Sequence, residues 1–597
     1  MDKPQSTRRR KARRRVMVLL VLCCAVFVLF LARLAWLQFA MADHYAQKMA
    51  EASSASYTLP QHAARGAITD RSGTVLAQDE TVYDVYLRVP APPGTNLRET
   101  VNTITALTGG KDVETQLAAF CSAVSAGELP VTQGLDSIGA AAYYRTGLVQ
   151  SGAVRLAARG VRRWPDGTIL PHTLGFTGPV TAEQWPAARA QGLAMDATIG
   201  QNGLEAAYDT LLRGRDGQLQ INVGLDGVTL ETMQTSTPVP GCTLVLTLDA
   251  DLQKTLQTAL QNQMDTLRTT KGIGAGREVR AGAAVVVDVR TGGILAAASL
   301  PDFDLSRYRS DYAALSADSA APLLDRVCQG LYAPGSAFKP AVAAAALTAG
   351  IDPAATVNCT GKYFYYSNYH PGCLQYGHRG PVDLRTALEY SCNIFFYDTG
   401  RRLGVDTFSA MARQLGLAND TGVEITAAQG RLTWSTDTNY QDGLTLMAAI
   451  GQGNTAVTPL QLAQYAATLA NYGRKPTLHF ADRAVQPATG AAVWQYEPAF
   501  TEIPGGEAVF GPIRDGMKRM AQTARALREA PVTVAAKTGS PQLADTLPGG
   551  SHYVNSVLIG YAPADDPQIA MAVVLEYGGG GANAAPVMRA VLDAWFE

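Results

Sequence analysis

The chain has 597 residues, with 50 Lys and Arg against 51 Asp and Glu and a formal charge of -1. It therefore has no global field to hold a polyanion, and a nucleic-acid-binding role is excluded. Hydrophobic residues make up 47% and charged residues 17%, which rules out disorder as the main state, and at about 100–200 residues per domain the length implies several domains.

That even total hides an asymmetry at the start. Residues 1–15 hold Lys3, Arg8, Arg9, Arg10, Lys11, Arg13, Arg14 and Arg15 against Asp2 alone, and Val16 to Ala32 then runs without a charge. The apolar run resumes from Leu34 to Leu37 beyond Arg33. With Arg33 snorkelling and Trp36 as an interfacial anchor, it reaches the roughly 20 residues that span a bilayer. The expected topology is single-pass in the plasma membrane: a cytoplasmic basic tip over 1–15, a transmembrane anchor over 16–39, and everything beyond outside the cytoplasm. A cleaved signal peptide is the alternative, since Ala40-Met41-Ala42 looks like a cleavage site. The apolar run, however, exceeds the roughly 7–15 residues of an h-region. Either way the bulk of the chain is exported.

Asp43 to Ala55 has helical spacing, and Gly66 to Leu76 reads as two short strands around a turn. Residues 90–95 read as a loop, and the 100–240 stretch mixes helices with short strands without concentrating nucleophiles, bases or metal ligands. It reads as a spacer or interaction domain. The composition changes at Pro238-Val239-Pro240-Gly241. Beyond it come a strand over Thr243–Thr247, an amphipathic helix over Asp249–Leu267, and a hairpin of Ala283–Val289 with Ile294–Ser299. Near the C-terminus Val532–Ala536, Val554–Tyr561 and Ile569–Tyr577 are strand-like, and a last helix starts near Asn583 with Pro586 in its first turn. Strands at both ends with Ala-rich helices between them give an α+β domain, one largely antiparallel sheet backed by helices.

Outside the anchor pair Cys23 and Cys24, six cysteines remain: Cys121, Cys242, Cys328, Cys359, Cys373 and Cys392. No CxxC and no His/Cys cluster appears in the sequence, so no zinc site, other metal or cofactor is expected. Cys359 and Cys373 flank a short aromatic loop, Lys362 to His370, and are candidates for a disulfide among the fifteen full pairings that six cysteines allow.

Pro334-Gly335-Ser336-Ala337-Phe338-Lys339-Pro340 precedes an Ala-rich helix. The proline and glycine place Ser336 at its N-terminus, and the three-residue spacing puts Lys339 on the same face. A serine hydroxyl is a poor nucleophile until a base takes its proton, which a lysine of depressed pKa can do. About one SxxK is expected by chance in such a chain, so the motif alone is weak. Downstream, Ser391-Cys392-Asn393 follows a helix with Leu384, Ala387 and Leu388 on one side, and Lys537-Thr538-Gly539-Ser540 stands at the end of the strand Val532–Ala536.

In that order the three elements resemble the signature of penicillin-binding proteins and serine β-lactamases, SxxK, SDN and KTG, with Cys392 standing where Asp is often found. More of the chain resembles the class B branch. Arg65-Gly66, Asp70-Arg71-Ser72-Gly73, Arg162-Arg163-Trp164-Pro165, His172, Gly175, Gly203-Leu204-Glu205, Tyr208-Asp209 and Leu212-Arg213-Gly214 look like its pedestal. Asp288, Gly292, Pro301, Phe303-Asp304, Gly451-Gln452-Gly453 and Val457 to Gln461 look like its transpeptidase domain. The resemblance implies a non-catalytic, dimerisation-like pedestal over 40–240 and a transpeptidase domain over 241–597, with no glycosyltransferase block.

It further implies a peptidoglycan DD-transpeptidase. Ser336 attacks a D-Ala-D-Ala stem peptide or a β-lactam antibiotic, Lys339 is its base, Ser391 relays a proton, and Asn393 binds the substrate amide and fixes Lys339. Lys537, Thr538, Gly539 and Ser540 take the terminal carboxylate, and the N–H groups of Ser336 and Ser540 form the oxyanion hole. Lys537 is expected to help depress Lys339. Water in place of an acceptor amine would give carboxypeptidase activity. The implied partners are nascent peptidoglycan, a SEDS-type glycan polymerase and other wall-synthesis proteins.

Each piece has a plainer reading. Ser391 and Asn393 could be a helix cap, Lys537 to Gly539 a strand end, Gly451 to Gly453 a turn, and Asp70-Arg71 a surface pair of little weight. His378 reads as structural before it reads as a base, and Cys392 as an inert buried thiol. A β-lactam-sensing receptor, a β-lactamase and a non-enzymatic scaffold are the rival functions. The receptor calls for a larger cytoplasmic part, the β-lactamase rarely has a pedestal, and the scaffold calls for a broken motif set.

Overall fold

The computed structural model describes residues 5–42, 44–45, 48, 55–92, 94–123, 127–195, 197–223, 229–270, 272–373 and 378–597. The helical spacing over Asp43–Ala55 falls largely outside the described residues, as do Asp2, Lys3, Pro93 and Gly377. The chain divides into two compact units, 1–63 with 215–239, and 64–214 with 240–597.

The first unit begins with the helix Gln5–Ala35, which continues as a π-helical turn over Trp36–Ala40. Its span Arg13–Ala40 is long and apolar enough to cross a membrane. Val16, Leu20, Phe27 and Phe30 are all exposed, so no protein core shelters its apolar side chains, and a helix apolar all round suits a lipid surround. The Arg33 guanidinium lies 4.3 Å from the Trp36 ring, a cation–π contact. The rest of this unit is an antiparallel sheet of Ala55–Gln61, Gly217–Val223 and Thr229–Ser236.

Two sheets organise the second unit. One has seven strands, in the order Ala492–Gln495, Ala481–Val485, Thr243–Leu246, Ile68–Thr69, Val75–Val89 and Gly127–Leu135, with Val154–Arg163 also paired to Val75–Val89. Of the two short strands expected in 66–76, the second runs on for 15 residues to Val89. Thr81, Val82, Tyr83, Val85 and Tyr86 are β-formers that continue it past the turn. Asp70 and Arg71 are not a surface pair either. Asp70 is 3% exposed and accepts hydrogen bonds from the N–H groups of Ser72, Thr74 and Ala250, so it fastens the turn to the start of the helix Ala250–Arg268. That network of donors holds its carboxyl below the usual range against the cost of burial.

Glu205 is completely buried between Arg65 Nε and Arg162 Nε, each at 2.6 Å, and Asp209 takes Arg65 at 2.7 Å. Arg162 also donates to the Gly66 carbonyl at 2.8 Å. The pedestal-like sequence blocks thus meet as one buried ion network, in which each charge is paired and hydrogen-bonded.

The second sheet is antiparallel throughout, in the order Ile294–Leu300, Gly282–Asp288, Ile569–Leu575, Ser556–Ala562 and Ala535–Gly539. Its strands read as unbroken apolar runs because both faces are covered, and alternate residues enter different cores. Ala283, Val285 and Val287 join the core that holds the helix Lys339–Thr348, whereas Ala284 and Val286 face the helices Ala250–Arg268 and Ala585–Phe596. The α+β expectation therefore holds. The edge strand is Ala535–Gly539 rather than 532–536, so Lys537, Thr538 and Gly539 lie within it. Gly539 sits against the chain ahead of the Lys339 helix, where an added Cβ would stand 2.2 Å from the Pro334 carbonyl oxygen.

Candidate active site

Ser336 lies in a 3-10 turn, Gly335–Phe338, that runs directly into the helix Lys339–Thr348 with Pro340 in its first turn. The proline costs nothing there, because first-turn N–H groups have no helical partner. The turn is held from outside: Gly335 N–H donates to the Gly451 carbonyl at 2.9 Å. Gly335 has φ +56°, and an added Cβ would lie 2.9 Å from Pro541 and 3.1 Å from the Ser540 nitrogen. At Gly451, φ +74°, a Cβ would lie 2.2 Å from the Gly335 oxygen. The Gly451-Gln452-Gly453 segment is thus a close backbone support behind the serine turn, and the glycines are required by the approach.

Lys339 is fully buried. Its Nζ donates to the Ser391 carbonyl at 2.7 Å, the Ser391 Oγ at 3.1 Å and the Asn393 Oδ1 at 2.7 Å. Lys537, equally buried, reaches the Ser391 Oγ at 3.1 Å and the Thr538 carbonyl at 3.0 Å. Among the described residues neither lysine has a carboxylate within ion-pair distance, so two amines share one hydroxyl in a site without a counter-ion. Burial lowers Lys339 from 10.5 to about 7. Desolvation is the cause of that fall, and the two buried amines also repel each other: burial and Lys339 together hold Lys537 well below its usual value.

Ser391 has φ +56°, a left-handed conformation that costs a non-glycine residue about 1–2 kcal/mol. It turns the chain between the helix Leu384–Glu389, which buries Leu384, Ala387 and Leu388, and the helix Asn393–Leu403. The turn aims the Ser391 hydroxyl and carbonyl at the lysines. The four residues Lys339, Ser391, Asn393 and Lys537 therefore meet, from three separate motifs. Thr538 and Ser540 stay outside that cluster. The Thr538 Oγ1 contacts the Met520 sulfur at 4.0 Å, and the Ser540 Oγ accepts from Gly581 N–H at 2.8 Å.

Sequence reasoning missed a neighbouring group. Cys359, Cys373, His378 and Cys392 are all buried, and their ligand atoms lie within 4.8 Å of one another. The expectation of no His/Cys cluster is corrected, and so is the candidate disulfide, because Cys359 and Cys373 are both free thiols. The separations of 14, 5 and 14 residues match no short metal motif, and the two long steps are closed by loops that only the fold brings together. Cys373 is drawn down by hydrogen bonds from the Cys392 thiol and the Asn393 N–H, while Cys392 is driven up by that partnership and by burial.

A cavity of about 490 Å³ lies elsewhere, lined by His172, Asn202, Phe303, Tyr308, Asp325 and Glu424 among others, and none of its lining residues belongs to the three motifs. What marks the serine site is its chemistry, not its volume.

Compared with known families, residues 282–593 match the penicillin binding protein transpeptidase domain, and residues 60–246 match the penicillin-binding protein dimerisation domain. The peptidoglycan D,D-transpeptidase MrdA of Acinetobacter baumannii is 28% identical over 592 residues, covering 94% of this chain and 84% of the relative. Among solved structures, a chain from a study of a peptidoglycan synthase complex that coordinates polymerization and crosslinking superposes with a TM-score of 0.73 at 29% identity, covering 98% of both chains. The penicillin-binding protein PBP2 of Helicobacter pylori, solved in complex with MreC, shares the fold with a TM-score of 0.74 at 23% identity, over 91% of this chain and 99% of that one.

Proposed function

Because the chain belongs to the penicillin-binding proteins of class B, which are peptidoglycan D,D-transpeptidases, we propose that Ser336 is its acylated nucleophile and Lys339 the base that activates it. The observation that carries this assignment is the Lys339 amine. It is buried, paired with no carboxylate among the described residues, and held against Ser391 and Asn393 one helical turn from Ser336.

The Ser336 Oγ attacks the carbonyl carbon of the penultimate D-alanine and gives its proton to neutral Lys339. The peptide C–N bond breaks, and the proton passes through the Ser391 hydroxyl, which touches both lysines, to the departing amine of D-alanine. The resulting Ser336 ester is attacked by an amine of a neighbouring stem, whose surplus proton returns by the same route as the cross-link forms and the serine is restored. Water in place of that amine releases the shortened peptide. A β-lactam enters at the first step and stays as the ester because its leaving nitrogen remains tethered. The N–H groups of Ser336 and Ser540 face the developing oxyanion, a contribution of about 3–4 kcal/mol when a donor of this kind is removed. Lys537, Thr538, Gly539 and Ser540 hold the substrate carboxylate. The Asn393 side-chain amide is shared between substrate and Lys339.

Residues 40–240 act as a non-catalytic pedestal and 241–597 as the catalytic domain. The chain is anchored in the plasma membrane by its first helix, with the basic tip in the cytoplasm, a reading that the Lys and Arg excess before the apolar run supports. Its partners are wall-synthesis proteins, among them a SEDS-type glycan polymerase reached through anchor and pedestal. The likeness to a chain of a synthase complex, and to a fold solved with MreC, supports that assignment.

A labelled penicillin tests the site. The full chain in detergent is expected to form a covalent adduct on the peptide that contains Ser336, and Ser336→Ala to form none. An adduct that persists in Ser336→Ala would overturn the assignment.

A further inference from the structure

The segment 361–372, beside the serine site, shows more ring surface to solvent than its own packing needs. It stands on a short antiparallel stem, in which Lys362 pairs with Gly372 and the Tyr363 N–H donates to the Pro371 carbonyl at 3.0 Å. Tyr363 is its anchor: the residue is buried, with its hydroxyl 3.1 Å from Asp398 Oδ1 and 2.9 Å from Arg401 Nε. Beyond that anchor Phe364 is 63% exposed, Tyr365 59% and Tyr369 38%. Holding that much ring in water is unfavourable, and a cluster of exposed apolar surface of this kind marks a binding surface.

The rings are held in place. Arg401, which bonds the Tyr363 hydroxyl, sets its guanidinium 4.0 Å from the Tyr365 ring. Tyr365 meets Tyr366 edge to face at 5.0 Å, and Phe364 lies 5.0 Å from His370. A preformed surface binds without first ordering its side chains. Its chemistry is selective as well: the rings stand beside exposed Ser367 and Asn368, and no Asp or Glu occurs between Thr360 and Gly372. That combination suits a neutral, amphipathic polymer. The C–H faces of sugar rings stack on aromatic faces, while their hydroxyl and acetamide groups find hydrogen bonds at the polar edge. The surface is also continuous with the reacting centre. The Gly372 carbonyl accepts from Asn393 Nδ2 at 3.2 Å, and Asn393 Oδ1 accepts from Lys339 at 2.7 Å. Tyr365 stands two residues beyond the paired Tyr363 and Pro371, at most about 7 Å of chain. In a pentapeptide stem the four residues from the sugar to the attacked carbonyl span at most about 13–14 Å, so the sugars of a strand whose stem is at Ser336 come to the level of these rings.

We propose that Phe364, Tyr365 and Tyr369 form a carbohydrate subsite that stacks the N-acetylated sugars of the strand whose stem acylates Ser336. The assignment to that strand rests on the function proposed above, whereas the affinity for glycan does not. The serine site reads the peptide and the loop reads the polymer that carries it. A stem attached to its strand is therefore bound in preference to the same peptide free in solution.

The test uses the full chain in detergent and two probes. The first is peptide-free strands of alternating N-acetylglucosamine and N-acetylmuramic acid. They are expected to bind Ser336→Ala as tightly as the parent, and about tenfold more weakly after Phe364→Ala or Tyr365→Ala, with Tyr365→Trp restoring the affinity. Binding is expected to survive a rise in salt from about 0.05 M to about 0.5 M, because stacking is not ionic. The second probe is D-alanine release from strand-borne pentapeptide stems against release from the same pentapeptide without sugar. Tyr365→Ala is expected to lose about tenfold in kcat/KM on the strand, through KM, and less than about twofold on the free peptide. Both substituted side chains are exposed, and an unchanged melting temperature checks the fold. Strands that do not bind the parent, binding that salt abolishes, or equal losses on strand-borne and free stems would overturn the subsite. A wall-synthesis protein that the parent retains and Tyr365→Ala loses, with strand binding unmoved, would overturn it too, by giving the surface to a protein. Cross-linking by Ser336→Ala would overturn the function above and leave the strand binding standing, so the two failures are distinct.

Discussion

Asn393→Asp places a carboxylate where an amide oxygen now stands, 2.7 Å from the Lys339 amine. In the parent, burial holds that amine at about 7. Near pH 7.5 about three quarters of the chains therefore carry a neutral base, against about one in a thousand for an unperturbed lysine. An opposite charge this close raises a lysine by about 1–3 units, which moves the midpoint to about 8–10. At pH 7 the neutral fraction then falls from about one half to between about a tenth and a thousandth, so acylation slows by about 5- to 500-fold and recovers at higher pH. The assay is the second-order rate of labelling by a fluorescent penicillin as a function of pH, parent against variant, with melting temperature as the check that both are folded. A parent whose rate is flat through pH 7 would refute Lys339 as the base. A variant that is slow at every pH with an unmoved midpoint would show that Asn393 acts by geometry alone.

The same shift has a consequence for stability. Lys339 has a folded value of about 7 against 10.5 unfolded, so between those values the unfolded chain binds more protons and stability rises with pH. The charged form costs about 5 kcal/mol in full below pH 7, and the cost is gone above pH 10.5. Melting temperature is therefore expected to climb from pH 7 to 10 in the parent and to climb less in Lys339→Met; an identical slope would contradict the burial argument. Gly539→Ala puts a Cβ 2.2 Å from the Pro334 oxygen and forces the edge strand off the serine turn. Penicillin acylation is expected to fall about a hundredfold, the effect of an ångström of misplacement, in protein that still folds, whereas an unchanged rate would show that the close approach does not matter. Glu205→Ala leaves Arg65 and Arg162 buried without their shared carboxylate. A loss of about 3–5 kcal/mol is expected in denaturant unfolding, and a loss below about 1 kcal/mol would mean that water, Asp209 on Arg65 or Asp79, 3.3 Å from Arg162, compensates.

Local signals carried the catalytic motifs because each is a short run on one element. Pro334-Gly335 before an Ala-rich helix dictates where Ser336 sits, and Leu384, Ala387 and Leu388 dictate the buried face of the helix ahead of Ser391. The hairpin over 282–300 and the last two strands were legible as unbroken apolar runs. What escaped depends on distance in space. The cysteine and histidine cluster is drawn from positions spread over 34 residues, and no periodicity encodes the loops that fold it shut. Asp70 looked like a surface charge because its donors include Ala250, 180 residues away. The edge strand shifted by three residues because Val532 and Thr533 are apolar or β-branched yet stand before its first sheet partner, the pair Ala535 and Tyr561. The depression of Lys339 by burial follows from the packing of a whole helix, which no spacing between two lysines reveals.

The most direct measurement supplies the full chain with nascent, uncross-linked glycan bearing pentapeptide stems and counts D-alanine released against cross-links formed. The account predicts about one D-alanine for each cross-link in the parent, with neither product from Ser336→Ala and a slow, alkaline-shifted yield from Asn393→Asp. Cross-links formed by Ser336→Ala at the parental rate would contradict it.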